Sequence, residues 1–146
     1  MKGGETIVAL SEPTVFIVDD DDGVRDALRI LLESMDIKVA SFDSVQAFLD
    51  AYTPEQPGCL VLDVRLPRMS GLELQEYLAK QGSHIPIIFI SGHGNVSMAV
   101  RTMKAGAVDF LEKPFDDQML LDSIQRAVEL KRRSRNSGMV NTLLRE

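Results

Sequence analysis

CLVLDVRLPRMSG, residues 59–71, runs from a buried strand through a single acid into a turn. Cys59, Leu60, Val61 and Leu62 form a short continuous apolar run, the pattern of a strand in a sheet covered on both faces. Asp63 ends it, and Arg65, Pro67 and Gly71 predict that the chain turns there into an exposed loop. An acid so placed contributes little to packing. It is well placed for chemistry, because open parallel sheets bind ligands beyond the carboxyl ends of their strands, where the strand order reverses.

Upstream, Thr14–Val18 (TVFIV) repeats the pattern and ends in four acids, Asp19 to Asp22. Val24, Ala27, Leu28, Leu31, Leu32 and Met35 then recur at helical spacing, with Asp21 or Asp22 as the N-cap. Lys38–Phe42 is the weakest strand candidate, and Val45, Phe48, Leu49 and Tyr52 mark a second helix. Downstream, Leu74, Tyr77 and Leu78 predict a third helix ending near Gly82, and Ile85–Ile90 another buried strand. SGHG (91–94) leads into a fourth helix, with Val96, Ala99, Val100 and Met103 on one face and Gly106 ending it. Ala107–Leu111 reads as a fifth strand, and EKPF (112–115) leads to a last helix built on Leu120, Ile124, Ala127 and Val128. Five strands alternating with five helices imply right-handed crossovers and a doubly wound parallel sheet, an α/β fold.

The 146 residues suit one domain with short extensions: a flexible leader (1–13), a folded unit (14–130), and a basic helix end and linker (131–146). The net charge of -6 is uneven, since residues 1–130 carry 11 basic and 21 acidic groups while the tail is basic. Such a body repels nucleic acid, so any DNA contact has to come from elsewhere. Cations at the end of the last helix complement its dipole without any nucleic acid. The single cysteine cannot form an internal disulfide and reads as a small core residue in a reducing compartment. The leader has no apolar run long enough for a signal peptide or a membrane span, which predicts a cytoplasmic protein with no membrane partner.

Asp19 and Asp20 follow the first strand and Asp63 the third, so neighbouring strands would bring three carboxylates together. At an effective dielectric near 20 and ~5 Å apart, each ionised pair repels by roughly 3 kcal/mol. A cation is therefore expected, and a hard divalent ion such as Mg²⁺ (or Mn²⁺) suits an all-oxygen site. Lys113 after the fifth strand adds a fixed cation, and Ser91 after the fourth a hydroxyl. Together these are the parts for phosphoryl transfer onto a carboxylate.

Each part alone has a plainer reading. Asp19 to Asp22 is a helix-capping cluster, Lys113 a surface cation, Ser91 a turn hydroxyl and Phe110 a core residue. The cluster lacks the alternating acids and closing glutamate of an EF-hand. GHG at 92–94 is no dinucleotide fingerprint, because the third glycine falls at Ser97. His84 and His93 are not at the spacing of a zinc pair.

The ordered set VDD (18–20), LDVRLPRMSG (62–71), SGHG (91–94), TMKAGAVDFL (102–111) and EKPF (112–115) resembles the receiver domain of bacterial two-component response regulators. It is most similar to the FixJ-type (NarL/FixJ) transcriptional regulators, over about residues 14–130. The resemblance implies a flavodoxin-like (βα)5 sheet with strand order 2-1-3-4-5. It implies that Asp63 accepts a phosphoryl group from a phosphohistidine of a sensor histidine kinase. Asp20, Asp63 and the Arg65 backbone carbonyl would ligate Mg²⁺, with Asp19 acting through water. Lys113 would pair with a phosphoryl oxygen, and its peptide bond to Pro114 would be cis.

The resemblance also implies a switch. The Ser91 hydroxyl would be drawn to the phosphoryl group, and Phe110 would turn inward into the vacated space. The face formed by the fourth helix, fifth strand and last helix would change, favouring a homodimer. Arg65 and His93 would flank the phosphoryl group and tune its lifetime. The expected product is a signalling module, not a turnover enzyme. A haloacid-dehalogenase-like phosphatase wants an aspartate where Arg65 stands, and Asp19, Asp20 and Asp63 would repel a flavin phosphate. FixJ-type proteins carry a DNA-binding output domain after the receiver, so the chain is expected to be part of a longer transcription factor, or else a stand-alone receiver.

Overall fold

Three apolar runs become the buried centre of one sheet. The computed structural model describes residues 12–93 and 96–130; most of the leader and all of the basic tail lie outside the described residues. In chain order the elements are β1 (Thr14–Val18), α1 (Asp22–Ser34), β2 (Lys38–Phe42), α2 (Val45–Ala51), β3 (Gly58–Asp63), α3 (Gly71–Lys80), β4 (Ile87–Ser91), α4 (Val96–Lys104) and β5 (Asp109–Glu112). A further helix, α5, covers 117–130. The strands are ordered β2-β1-β3-β4-β5 and every pairing is parallel. This is the doubly wound parallel sheet that the strand and helix alternation predicts, in the flavodoxin-like order that the resemblance implies.

β1, β3 and β4 are buried along their whole length, because helices cover both faces. Alternate side chains serve opposite layers. Phe16, Val18, Leu60, Leu62 and Phe89 pack against Phe48 of α2 and Leu74 and Leu78 of α3. Val15, Ile17, Val61, Ile88 and Ile90 pack against Leu28 and Leu32 of α1 and Leu120, Ile124 and Ala127 of α5. Cys59 belongs to this second layer, and burial pushes its thiol up to about 12, so it stays a neutral core residue.

Side-chain caps fix where the helices begin. Asp21 accepts from Val24 N–H at 3.2 Å, and Ser44 from Ala47 N–H at 3.1 Å. Ser70 and Glu73 form a reciprocal capping box at the start of α3. β3 begins at Gly58, where φ is +133° and a Cβ would stand 1.9 Å from the Thr14 carbonyl oxygen, so only glycine allows β3 to lie alongside β1 there.

Two strand boundaries differ from the sequence expectations. β4 starts at Ile87, not Ile85, because Pro86 offers only its carbonyl, which accepts from Leu60 N–H at 2.9 Å. β5 is shifted to Asp109–Glu112, since Ala107 N–H is taken by Thr102 O to close α4. The apolar stripe of α4 faces outward. The helix's buried residue is Thr102, while Val96 is 80% exposed and Val100 and Met103 are each 43% exposed. Thr102 can face inward because its hydroxyl donates to Ala99 O and its carbonyl accepts from Gln75 Nε2 on α3. Among the described residues no helix is long and apolar enough to cross a membrane.

Candidate phosphoacceptor site

The chain leaves β1 toward β2 on one side and returns to β3 on the other, so the strand order reverses between β1 and β3. Val18 pairs with Leu62, and the next residue on each strand is an aspartate. Asp19, Asp20 and Asp63 each offer a carboxylate oxygen, all within 4.8 Å of one another. Asp63 does not stand in an exposed loop as the sequence suggested. It is the last residue of β3 and only 6% exposed, because Val64 stays buried and extends the pairing with a 3.0 Å bond to Ile90 O. The exposed turn starts at Arg65.

The start of α3 explains why that turn closes so tightly. Gly71 N–H donates to Val64 O at 2.9 Å, and a Cβ on Gly71 would stand 2.6 Å from Asp63 O and 3.0 Å from Phe89 Cε1. A side chain there would displace the backbone that carries the acid.

Lys113 follows β5 and reaches over the acids. Its Nζ donates to Asp19 Oδ2 at 2.8 Å and to Asp63 Oδ2 at 3.3 Å. Asp63 Oδ1 accepts from Arg65 N–H at 3.0 Å, and Asp19 Oδ1 from Asp21 N–H at 2.9 Å. Asp20 is exposed, and its carboxylate takes no hydrogen bond among the described residues. Burial pushes the Asp63 carboxyl above its usual value; Asp19 adds to this, while the Arg65 N–H and Lys113 pull the other way. For Lys113, burial acts to lower the ammonium, but the hydrogen bond and charge of Asp19, with those of Asp63, outweigh it and raise it.

Ser91 ends β4 and has no solvent exposure. Its Oγ accepts from His93 N–H at 3.1 Å and its carbonyl accepts from Lys113 N–H at 2.8 Å, tying the tips of β4 and β5 together. The Arg65 guanidinium donates to His93 O at 3.4 Å, so these two residues bridge the loops on either side of Asp63. The Lys113–Pro114 peptide bond is cis. Phe110 is half-buried against the layer that contains Leu62 and Phe89.

Arg25 was missed in the sequence. Its guanidinium donates to the Asp19 carbonyl at 2.6 Å and pairs with Asp22. The available signal was its place one turn past the N-cap Asp21, since helix side chains lean toward the N-terminus and so toward the end of β1.

Two buried acids and an exposed one thus meet at a switch point, with an amine bridging the buried pair and a hydroxyl on the next strand. Residues 15–125 match the response regulator receiver domain. The chain belongs to that family. The receiver is 48% identical over 136 residues to nodulation protein W of Bradyrhizobium diazoefficiens, covering 93% of the chain and 60% of that protein. It is 48% identical over 114 residues to the transcriptional regulatory protein FixJ of Azorhizobium caulinodans, covering 78% of the chain and 54% of that protein. Among solved structures it is similar to the response regulator StyR (TM-score 0.86, 50% identity, 92% of this chain and 68% of that one). It is similar too to FixJ-N (TM-score 0.74, 47% identity, 82% and 96%). The receiver spans between half and three fifths of the length of the curated relatives it matches.

Proposed function

We propose that this receiver is phosphorylated on Asp63 by a sensor histidine kinase and relays the change through the α4-β5-α5 face to an output domain that binds DNA. The observation that carries the reading is the Lys113 ammonium held between Asp19 and Asp63 beside the exposed Asp20. Three clustered carboxylate oxygens form a hard, all-oxygen donor set that fits Mg²⁺ or Mn²⁺. Asp20, Asp63 and the Arg65 backbone carbonyl would hold the ion, with Asp19 reaching it through water. The ion would neutralise charge on the transferring phosphoryl oxygens.

The chain's own groups supply the rest. A carboxylate oxygen of Asp63 attacks phosphorus as the nitrogen–phosphorus bond of the phosphohistidine breaks, leaving an acyl phosphate on Asp63. Lys113 offers its ammonium to a phosphoryl oxygen, and its weaker 3.3 Å contact to Asp63 is the one available to yield. The Ser91 hydroxyl turns from His93 N–H toward the phosphoryl group, and Phe110 moves into the space behind it. Arg65 and His93, already joined across the site, limit access of water and so set the lifetime. The protein is a cytoplasmic switch, not an enzyme with turnover. Its homodimer forms on phosphorylation through α4 and β5.

The test is mass spectrometry after incubation with acetyl phosphate and Mg²⁺. A gain of one phosphoryl group on the wild type, absent in Asp63→Asn, is expected. A gain that persists in Asp63→Asn sinks the assignment.

A further inference from the structure

We propose that Arg25 is a positioning residue that fixes the direction of Asp20 toward the cation. The proposal rests on the metal role given to Asp20 and Asp63 above. Asp20 is exposed, and nothing in the described residues holds its carboxylate, yet the peptide units on both sides of it are fixed. The preceding carbonyl, that of Asp19, accepts the 2.6 Å bond from Arg25 Nη1. The following N–H, that of Asp21, donates to Asp19 Oδ1 at 2.9 Å. Asp19 N–H is itself anchored on Phe42 O at 3.2 Å. Of these anchors, only the one on the Asp19 carbonyl comes from a side chain on a different element, α1.

The guanidinium is in turn held in place. Its Nη2 pairs with Asp22, and the Arg25 side chain is only 16% exposed, an uncommon environment for arginine on the first turn of a surface helix. Asp22 thereby gains a role beyond solvating the helix start: it orients the fork that holds Asp19. Lysine could reach the same carbonyl with one N–H, but it has no second rigid arm for Asp22.

Charge alone predicts the opposite behaviour. A guanidinium near three acids repels a divalent cation, so deleting it on electrostatic grounds tightens Mg²⁺ binding. If Arg25 acts by positioning, deleting it weakens binding, as loss of groups that orient metal ligands does.

The experiment is calorimetric titration of the unphosphorylated protein with Mg²⁺, for wild type, Arg25→Met, Arg25→Lys, Asp22→Asn and Asp20→Asn, alongside metal-free urea unfolding. The expected result is about a tenfold rise in Kd for Arg25→Met. Arg25→Lys and Asp22→Asn should fall between it and wild type. Should Arg25→Met fail to fold, the lysine variant and Asp22→Asn carry the comparison. Wild-type or tighter Mg²⁺ affinity in the folded Arg25 and Asp22 variants overturns the positioning role and leaves the metal site intact. No binding to wild type, or binding unchanged in Asp20→Asn, overturns the metal site and the proposal with it.

Discussion

Lys113 Nζ lies 2.8 Å from Asp19 Oδ2, joining the tips of β1 and β5 across the intervening β3 and β4. Asp19 has no solvent exposure, so this amine is its main charge compensation. Removing one member of a buried pair strands the other in a poor dielectric, at a cost of about 3 kcal/mol. Lys113→Met is therefore expected to lose about that much stability in metal-free urea unfolding, and to lose phosphorylation on Asp63 as well. Adding Asp19→Asn to it should return part of the stability but none of the phosphorylation. An unchanged urea midpoint for the single variant contradicts the pairing.

The Asp63 carboxyl behaves oppositely, because its proton affinity is raised in the fold, chiefly by burial. A carboxyl raised above its unfolded value stabilises the fold below that unfolded value, and the contribution is lost as pH rises through the folded one. At pH 7 without metal, ionised Asp63 thus opposes folding. Asp63→Asn should melt higher than wild type in chelator at pH 7, with the gap narrowing as pH falls toward the usual carboxylate range. A variant that melts lower at pH 7 refutes this.

Gly71 couples the α3 start to the acid. An alanine methyl would meet Asp63 O, Val64 Cα and Phe89, two of them backbone atoms that cannot swing aside. Overpacking of this kind costs about 1–3 kcal/mol. Because the displaced backbone carries the proposed nucleophile, Gly71→Ala should also slow phosphorylation by acetyl phosphate, on the order of tenfold. Gly82→Ala is the comparison: it has open space, so any loss there reflects its φ of +79° and leaves the phosphorylation rate alone.

Most of this arrangement was legible in the sequence because the central strands are apolar on both faces and their ends are marked by acids. Continuous runs such as Thr14–Val18 cannot be confused with amphipathic helices, and the acids after them fall on the same sheet edge once the strands are parallel. What failed was the assumption that polarity gives direction. The residues after Asp63 predict an outward turn, yet Asp63 itself is buried beneath Lys113 with both oxygens bonded. The buried side of α4 at Thr102 has no apolar signature, because its hydrogen bonds to Ala99 and from Gln75 are set by three-dimensional neighbours. Arg25 offers only a positional signal, its place one turn past Asp21, because its acceptor is a main-chain carbonyl with no sequence signature of its own.

The outward stripe of α4 leads to the last prediction. Val96, Val100 and Met103 fall at positions i, i+4 and i+7, a single stripe facing solvent rather than the sheet. Beside it a groove is lined by Ala99, Phe110, Glu112, Phe115 and Met119, so the stripe and the proposed switch aromatic share one surface. An apolar stripe left facing solvent suits a partner, and the proposed homodimer offers the same stripe from its second copy. Val100→Glu puts like charges face to face across a two-fold contact without touching the core. It should leave unfolding stability within about 0.5 kcal/mol of wild type. Phosphorylation of Asp63 by acetyl phosphate should also proceed normally, while sedimentation should show the phosphorylated dimer weakened by at least about tenfold, equivalent to ~1.4 kcal/mol. A phosphorylated Val100→Glu that dimerises as wild type does would move the interface away from α4.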